Sequence, residues 1–387
     1  MKLKINKSTI IDYLVLFAYT YLPDYIIKGS IENIYLLYCA VVYIMIILYY
    51  LKKNHNKVSK VVSMFFIMNL FLNISTIIHG NFEMLFHGFK ILLGMTSLCC
   101  YIELRIKVNP KTFLKNSMRY WGLLVIINIL SFFVYYPTGW DNISNFYFLG
   151  NDNGSFFETF LYIFISLLYY TTYEKKIPKY FYFIILFIFY GYLFVDSGNG
   201  KVCILLLIAL TLFYNNKYFK KIFTVKRLLI VYTLVFMLLV VFRSNNQIVN
   251  NILGILGKNN TFTGRTNIWD LSFKYIKENL LLGNGYENGD IILRKIGQVK
   301  CHNMIIQFMY NGGLIGFGIF AYIIKITLTK IKELPNSDSK NIIIFSLFVY
   351  FLISIFDYYY YKYNIVFFLL FIIYSNSLKK EVLTDEW

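Results

Sequence analysis

The run Leu228-Leu-Ile-Val-Tyr-Thr-Leu-Val-Phe-Met-Leu-Leu-Val-Val-Phe242 carries no charge, and it stops at Arg243-Ser-Asn-Asn-Gln247. That junction decides the fold. Apolar runs of this kind read as membrane spans, which need roughly 20 apolar residues to cross a hydrocarbon core. The polar stretch that follows, as far as His302, is the long interruption in an otherwise apolar chain. It must sit at a face where the chain meets water.

Outward from this junction, similar runs cover approximately 9–22, 34–51, 58–78, 85–104, 119–136, 156–173, 180–196, 201–214, 227–243, 303–326, 341–356 and 363–378. The whole chain is 58% hydrophobic and 20% aromatic, with a mean hydropathy of +0.56, well above a soluble domain. The expectation is an all-α integral membrane protein, a bundle of about 12 transmembrane helices. It forms one polytopic domain over 1–387, with 244–302 as an extracytoplasmic loop between spans 9 and 10. The basic start (Lys2, Lys4, Lys7) precedes an apolar run holding Asp12 with no small-residue cleavage site behind it, so no cleaved signal is expected.

Lysine and arginine counts orient the spans. With the N-terminus in the cytoplasm, the inner segments hold 26 basic residues and the short outer loops three: Lys28, Lys201 and Lys362. Both termini are then cytoplasmic. The net charge of +18 is mostly topology, and nucleic acid is not implied. The polar loop departs from the rule, with seven basic and four acidic residues within 244–302. Long loops translocate regardless of charge, yet a cationic outer surface also suits an anionic substrate. Five scattered cysteines and four histidines show no metal-ligand spacing, and no cofactor is expected.

Within the loop, Thr263 or Thr266 can cap a helix beside Gly264. Trp269, Phe273, Ile276 and Leu280 then recur on one helical face, as a helix lying on the membrane surface or against the bundle would require. Gly283-Asn-Gly285 ends that helix with residues that tolerate left-handed backbone. A polar link leads to Cys301-His302-Asn303, and Gly312-Gly313, Gly316 and Gly318 in the next span allow close helix approach.

Gly264-Arg265 with Trp269, Gly283-Asn-Gly285, His302-Asn303 and Gly312-Gly-Leu-Ile-Gly316 together resemble the O-antigen ligase/polymerase superfamily. Phe148-Leu-Gly-Asn-Asp-Asn153 is similar to that family's outer loop before the sixth span. Asp196-Ser-Gly-Asn-Gly-Lys201 stands where a Ser-Arg or Ser-Lys pair opens the eighth, with Lys201 taking the cation role. The resemblance implies a metal-independent, GT-C-like membrane enzyme acting on an undecaprenyl-pyrophosphate-linked oligosaccharide at the outer face of the bacterial cytoplasmic membrane. Membrane lipid and other polysaccharide-assembly proteins are the implied partners.

The leaving pyrophosphate is a polyanion. Arginine suits it, because a planar, permanently charged fork makes paired contacts with phosphate oxygens. Arg265 is the first candidate, Arg243 the second and Lys201 the third. His302 is the candidate general base, with an unperturbed pKa near 6.5. Asn303 either orients His302 or caps the next helix, Trp269 is a sugar platform or an interfacial anchor, and Asp152 and Asp196 are fallback bases or hydrogen-bonding residues. For His302 a capping or packing role competes, and for Arg265 a headgroup anchor. The leading expectation is a polymerase of capsule, exopolysaccharide or O-antigen repeats. The rivals are a ligase that moves finished glycan to lipid A core or protein, and a flippase. Lys90, a charge inside the fourth run, is the residue that best suits transport, since it snorkels or lines a cavity.

Overall fold

The computed structural model describes residues 7–20, 22–23, 25–27, 29–140, 146–195, 197–241, 264–358 and 363–379. In chain order its helices are α1 (Lys7–Ala18), α2 (Ser30–Lys53), α3 (Lys60–Ile78), α4 (Leu85–Val108), α5 (Pro110–Tyr135), α6 (Asp152–Tyr169), α7 (Lys179–Leu193), α8 (Gly198–Phe213), α9 (Lys217–Ile222) and α10 (Val225–Phe236). After the polar interruption come α11 (Arg265–Glu278), α12 (Gly289–Ile296), α13 (Met304–Glu333), α14 (Asp338–Phe356) and α15 (Asn364–Ile373). A two-residue hairpin, β1 (Phe146–Tyr147) with β2 (Gly150–Asn151), precedes α6.

Each expected run contains a helix, but they are not equally fit to cross a bilayer. Among the described residues six are long and apolar enough: Ser30–Lys53, Lys60–Ile78, Phe82–Val108, Pro110–Tyr135, Met304–Glu333 and Asp338–Phe356. The count of twelve is therefore not reached by length and composition. The last run shows why: α15 has ten residues, a rise of about 15 Å against a core roughly 30 Å thick. All ten are buried, as expected of a helix that is apolar on every side. Phe368 of α15 meets Phe164 at 4.7 Å and Tyr350 at 5.1 Å between ring centroids. Facing outward instead are apolar side chains such as Leu37, Met45 and Phe183, suited to hydrocarbon.

Local sequence starts these helices. Ser59, Asn109, Asn303 and Ser337 cap α3, α5, α13 and α14, their side-chain oxygens accepting first-turn amides. The connections then sort into two ends. At one, Glu103 accepts from Ser59 (2.5 Å), Lys107 (2.5 Å) and Tyr374 (2.7 Å), and Lys220 pairs with Asp338 at 2.8 Å. These are lysine-rich loops. At the other end the chain from Gly264 to Asn303 packs over α3, α13 and the close of α14.

Two loop details differ from the sequence reading. α11 is not capped by threonine: Gly264, at φ 82°, precedes it without a side-chain cap, and Thr263 lies outside the described residues. The polar link is itself helical, because Ile292 and Ile296, one turn apart, are buried and pull α12 onto the bundle.

Candidate active site

The site begins at a break in a helix. Gly313 of α13 has φ 57° and ψ −157°, a conformation open to glycine because it lacks Cβ. The break frees backbone groups on both sides, and in an apolar layer each must find a partner. The segment from Leu280 to Gly285 supplies them. The Asn284 amide donates to the Tyr310 carbonyl (2.7 Å) and the Gly285 amide to that of Asn311 (2.9 Å); Leu314 and Ile315 donate to Leu280 and Leu281 (2.8 and 3.2 Å). A Cβ on Gly283 would lie 2.4 Å from the Gly313 nitrogen, and one on Gly285 2.5 Å from Thr76 Cα. The two glycines are thus a backbone splice that locks the polar loop into the bundle.

The splice and α11 fix the approach to His302. Trp269 is fully buried and donates through Nε1 to the Cys301 carbonyl (3.0 Å). The Cys301 amide donates to Gln307 Oε1 (2.8 Å). On the far side, Asn303 caps α13 by accepting from Ile306 (3.1 Å) and donates to the Ile355 carbonyl (2.9 Å). His302, held between these anchors, has φ 49°. A left-handed non-glycine backbone costs on the order of 1–3 kcal/mol and persists where surroundings over-determine it.

His302 projects toward Asp357, the residue just past α14. Its Nδ1 stands 3.4 Å from Asp357 Oδ1 and the side chain remains 20% exposed. Lys300 Nζ meets the same oxygen at 2.7 Å, and the Asp357 side chain is 2% exposed. Burial alone would raise the Asp357 carboxyl, but Lys300 and His302 beside it hold it well below the usual carboxylate range. Burial lowers the His302 imidazole; Asp357 pulls the other way, and Lys300 and Arg265 reinforce the lowering. The lowered pKa favours neutral His302 at pH 7, with Nδ1 toward the carboxylate. Burial pushes the Cys301 thiol up to about 12, so this neighbour stays protonated.

Of the sequence candidates, His302 and Arg265 fall within electrostatic reach of each other, with Arg265 opening α11, where the helix dipole adds positive potential. Trp269 and Asn303 reach the site through its frame, since both are buried with their polar atoms engaged by backbone; neither presents a surface to a substrate. Asp152 and Lys201 belong to another cluster. Asp152 is buried at the start of α6 with Oδ1 on the Asn153 amide (2.7 Å), and Ser197, capping α8, donates to Asn153 Oδ1 (3.0 Å). Lys201 is half-buried in the first turn of α8 and makes no ion pair among the described residues. Arg243 and Asp196 lie outside the described residues. Among the described residues no three His, Cys, Asp or Glu side chains gather in a metal-binding group.

Sequence reasoning missed Asp357, Lys300 and Glu287. Glu287 is buried and accepts from Lys295 (2.5 Å) and Tyr310 (2.7 Å). The available signal at Asp357 was a carboxylate closing a long apolar run beside the tyrosines 358–361.

Fold and cluster define a class: a polytopic helical membrane protein with a histidine–carboxylate pair and cations at one end of its bundle. The family comes from comparison. Residues 181–321 match a family model described as O-antigen ligase, less than half of the chain, and this match supports the O-antigen ligase/polymerase superfamily. Members of that family are glycan-transferring enzymes. The matched segment contains Lys201, Arg265, Trp269, His302 and Asn303, and it excludes Asp152 and Asp357. No curated protein and no solved structure matches the chain.

Proposed function

We propose that this protein polymerises undecaprenyl-pyrophosphate-linked oligosaccharide repeats, as a single domain of about twelve spans with a GT-C-like arrangement and the 244–302 loop on the extracytoplasmic side of the bacterial cytoplasmic membrane. The observation that carries this reading is the pairing of neutral His302 with buried Asp357 beside Lys300 and Arg265. His302 Nε2 removes the proton of the acceptor hydroxyl as its oxygen attacks the donor's anomeric carbon. The glycosidic bond to pyrophosphate breaks with its electron pair left on the phosphate oxygen, and the third negative charge that the leaving lipid pyrophosphate thereby gains is met by Arg265 and Lys300. Asp357 orients the ring and stabilises the imidazolium that forms, the role a buried carboxylate plays behind a catalytic histidine. Fixed positive charge aimed at developing negative charge is the type of effect that usually dominates such barriers. Arg243, outside the described residues, is a further candidate for the pyrophosphate.

The test is the glycan profile of cells lacking this protein. Single repeats on the carrier, with long chains restored by the wild type and not by His302→Ala, support polymerisation. Long chains that accumulate on the carrier mean a ligase instead. Normal glycans throughout would overturn both.

A further inference from the structure

Lys90 lines a cavity of about 400 Å³ between the ends of α1, α2, α4 and α15, on the loop side of the bundle. That volume is within the usual range for small-ligand pockets, roughly 300–1,000 Å³. Lys90 sits less than two turns into α4 and makes no ion pair among the described residues, although Glu32 shares the cavity wall. An unpaired ammonium inside an apolar segment marks a binding site by default. The remaining wall is mostly apolar, with the rings of Tyr35, Tyr43 and Tyr363 and the imidazole of His87 set among aliphatic side chains. The hydroxyls of Tyr35, Tyr43 and Thr20 are engaged within the protein, so Lys90, Glu32 and His87 carry the polar groups open to a ligand.

This chemistry differs from that of the loop cluster. One ammonium and one carboxylate give the cavity donors and acceptors without the excess positive charge a pyrophosphate needs. Tyrosine faces beside opposed hydrogen-bonding groups suit a neutral polyhydroxylated ring, whose C–H faces pack on aromatics while its hydroxyls take both kinds of bond. The cavity also adjoins the loop. His87 meets Tyr286 edge to face at 5.7 Å between centroids, and the buried Tyr286 hydroxyl has no hydrogen-bond partner among the described residues. A buried hydroxyl left unpaired costs about 1–3 kcal/mol, and this one lies behind His87, one side chain away from the cavity. Tyr286 immediately precedes Glu287, whose carboxylate bonds Tyr310 above the break in α13. Through His87 and Tyr286 the cavity thus abuts the loop that leads to the candidate active site.

We infer that the cavity walled by Lys90, Glu32, His87 and Tyr363 is a second saccharide-binding subsite, which holds the sugar of the acceptor. The inference rests on the transfer reading for its acceptor role, and on the cavity alone for sugar binding.

The experiment uses full-length protein in detergent and, as probe, the lipid-linked saccharide extracted from cells lacking this protein, with sugar-free undecaprenyl pyrophosphate as control. Native mass spectrometry counts copies bound per chain. Wild type should hold two copies of the saccharide probe; Lys90→Met and Glu32→Gln should hold one. All three should hold a single sugar-free carrier. Melting temperatures check that the variants fold, and Tyr286→Phe, which removes one hydroxyl, gives a milder second readout. Variants that keep two copies, or a wild type that never holds a second, would overturn the subsite. Two copies on a wild type that never lengthens the saccharide, with one on each variant, would keep the subsite and overturn the transfer reading.

Discussion

Two buried aspartates, at opposite ends of their local chemistry, show how the same residue becomes structure in one place and a candidate reaction centre in another. Asp12 of α1 is fully buried and saturated. Arg105 grips both its oxygens, Nη2 at 2.9 Å and Nε at 2.8 Å, Asn116 donates at 2.7 Å, and the Tyr101 hydroxyl adds a further bond. Asp357 is as deeply buried, but its charged partners Lys300 and His302 both come to one oxygen, and one of them is a titratable ring that stays partly open. A closed network fixes helices. An open one, beside a strained histidine, leaves a proton acceptor exposed to what enters.

The comparison can be broken by substitution, and the largest effects come first. His302→Ala should cost about 10²- to 10⁴-fold in the rate of glycan transfer, the span expected of a lost general base. Its melting temperature should stay near that of the wild type. Arg105→Met should do the reverse: it leaves the Asp12 carboxylate buried without its cation, a loss of about 3–5 kcal/mol in stability, while transfer per folded molecule is retained. Equal rate losses in the two variants would erase the distinction between the clusters. Arg265→Ala should lower transfer by about 10²- to 10³-fold, as for a removed donor to developing charge, and Arg265→Lys should recover part of it.

The smallest effects are in pH dependence, and there the signs are specific. Transfer requires neutral His302, so the rate should rise with pH through an imidazole pKa below 6.5. Lys300→Met removes a charge that lowers that pKa and should move the acid limb to higher pH. Asp357→Asn removes the charge that raises it and should move the limb to lower pH, with a reduced plateau because the ring loses its orienting partner. Rate–pH profiles of the purified variants decide this; shifts in the same direction would remove the His302–Asp357 pairing. The stability sign is also fixed. A depressed imidazole pKa favours the fold above the unfolded value near 6.5, and this contribution fades as pH falls through the window below it.

Legibility from sequence followed how local the governing physics was. The apolar runs and their caps are written in neighbouring residues, so Asn303 and the flanks of α13 could be read directly. Gly283-Asn-Gly285 was legible as left-handed backbone but not as a splice, since its partners, Thr76 and the Tyr310–Gly313 carbonyls and amides, are distant in the chain. Trp269 looked amphipathic and proved a buried strut, because only packing tells a surface helix from one lodged against α13. Asp357 could not be paired with His302 without knowing that α14 ends beside the start of α13. Run length alone could not tell a full span from a buried helix: the short last run, 363–378, holds α15, ten residues packed inside the bundle.

The central claim is that the His302–Asp357 cluster is the reaction centre of a glycan transferase. The most direct measurement is the single-turnover rate of chain lengthening by purified protein on extracted lipid-linked repeats, compared among wild type, His302→Ala and Arg105→Met per folded molecule. The account predicts that lengthening is lost in His302→Ala and retained in Arg105→Met. Full lengthening by His302→Ala would contradict it.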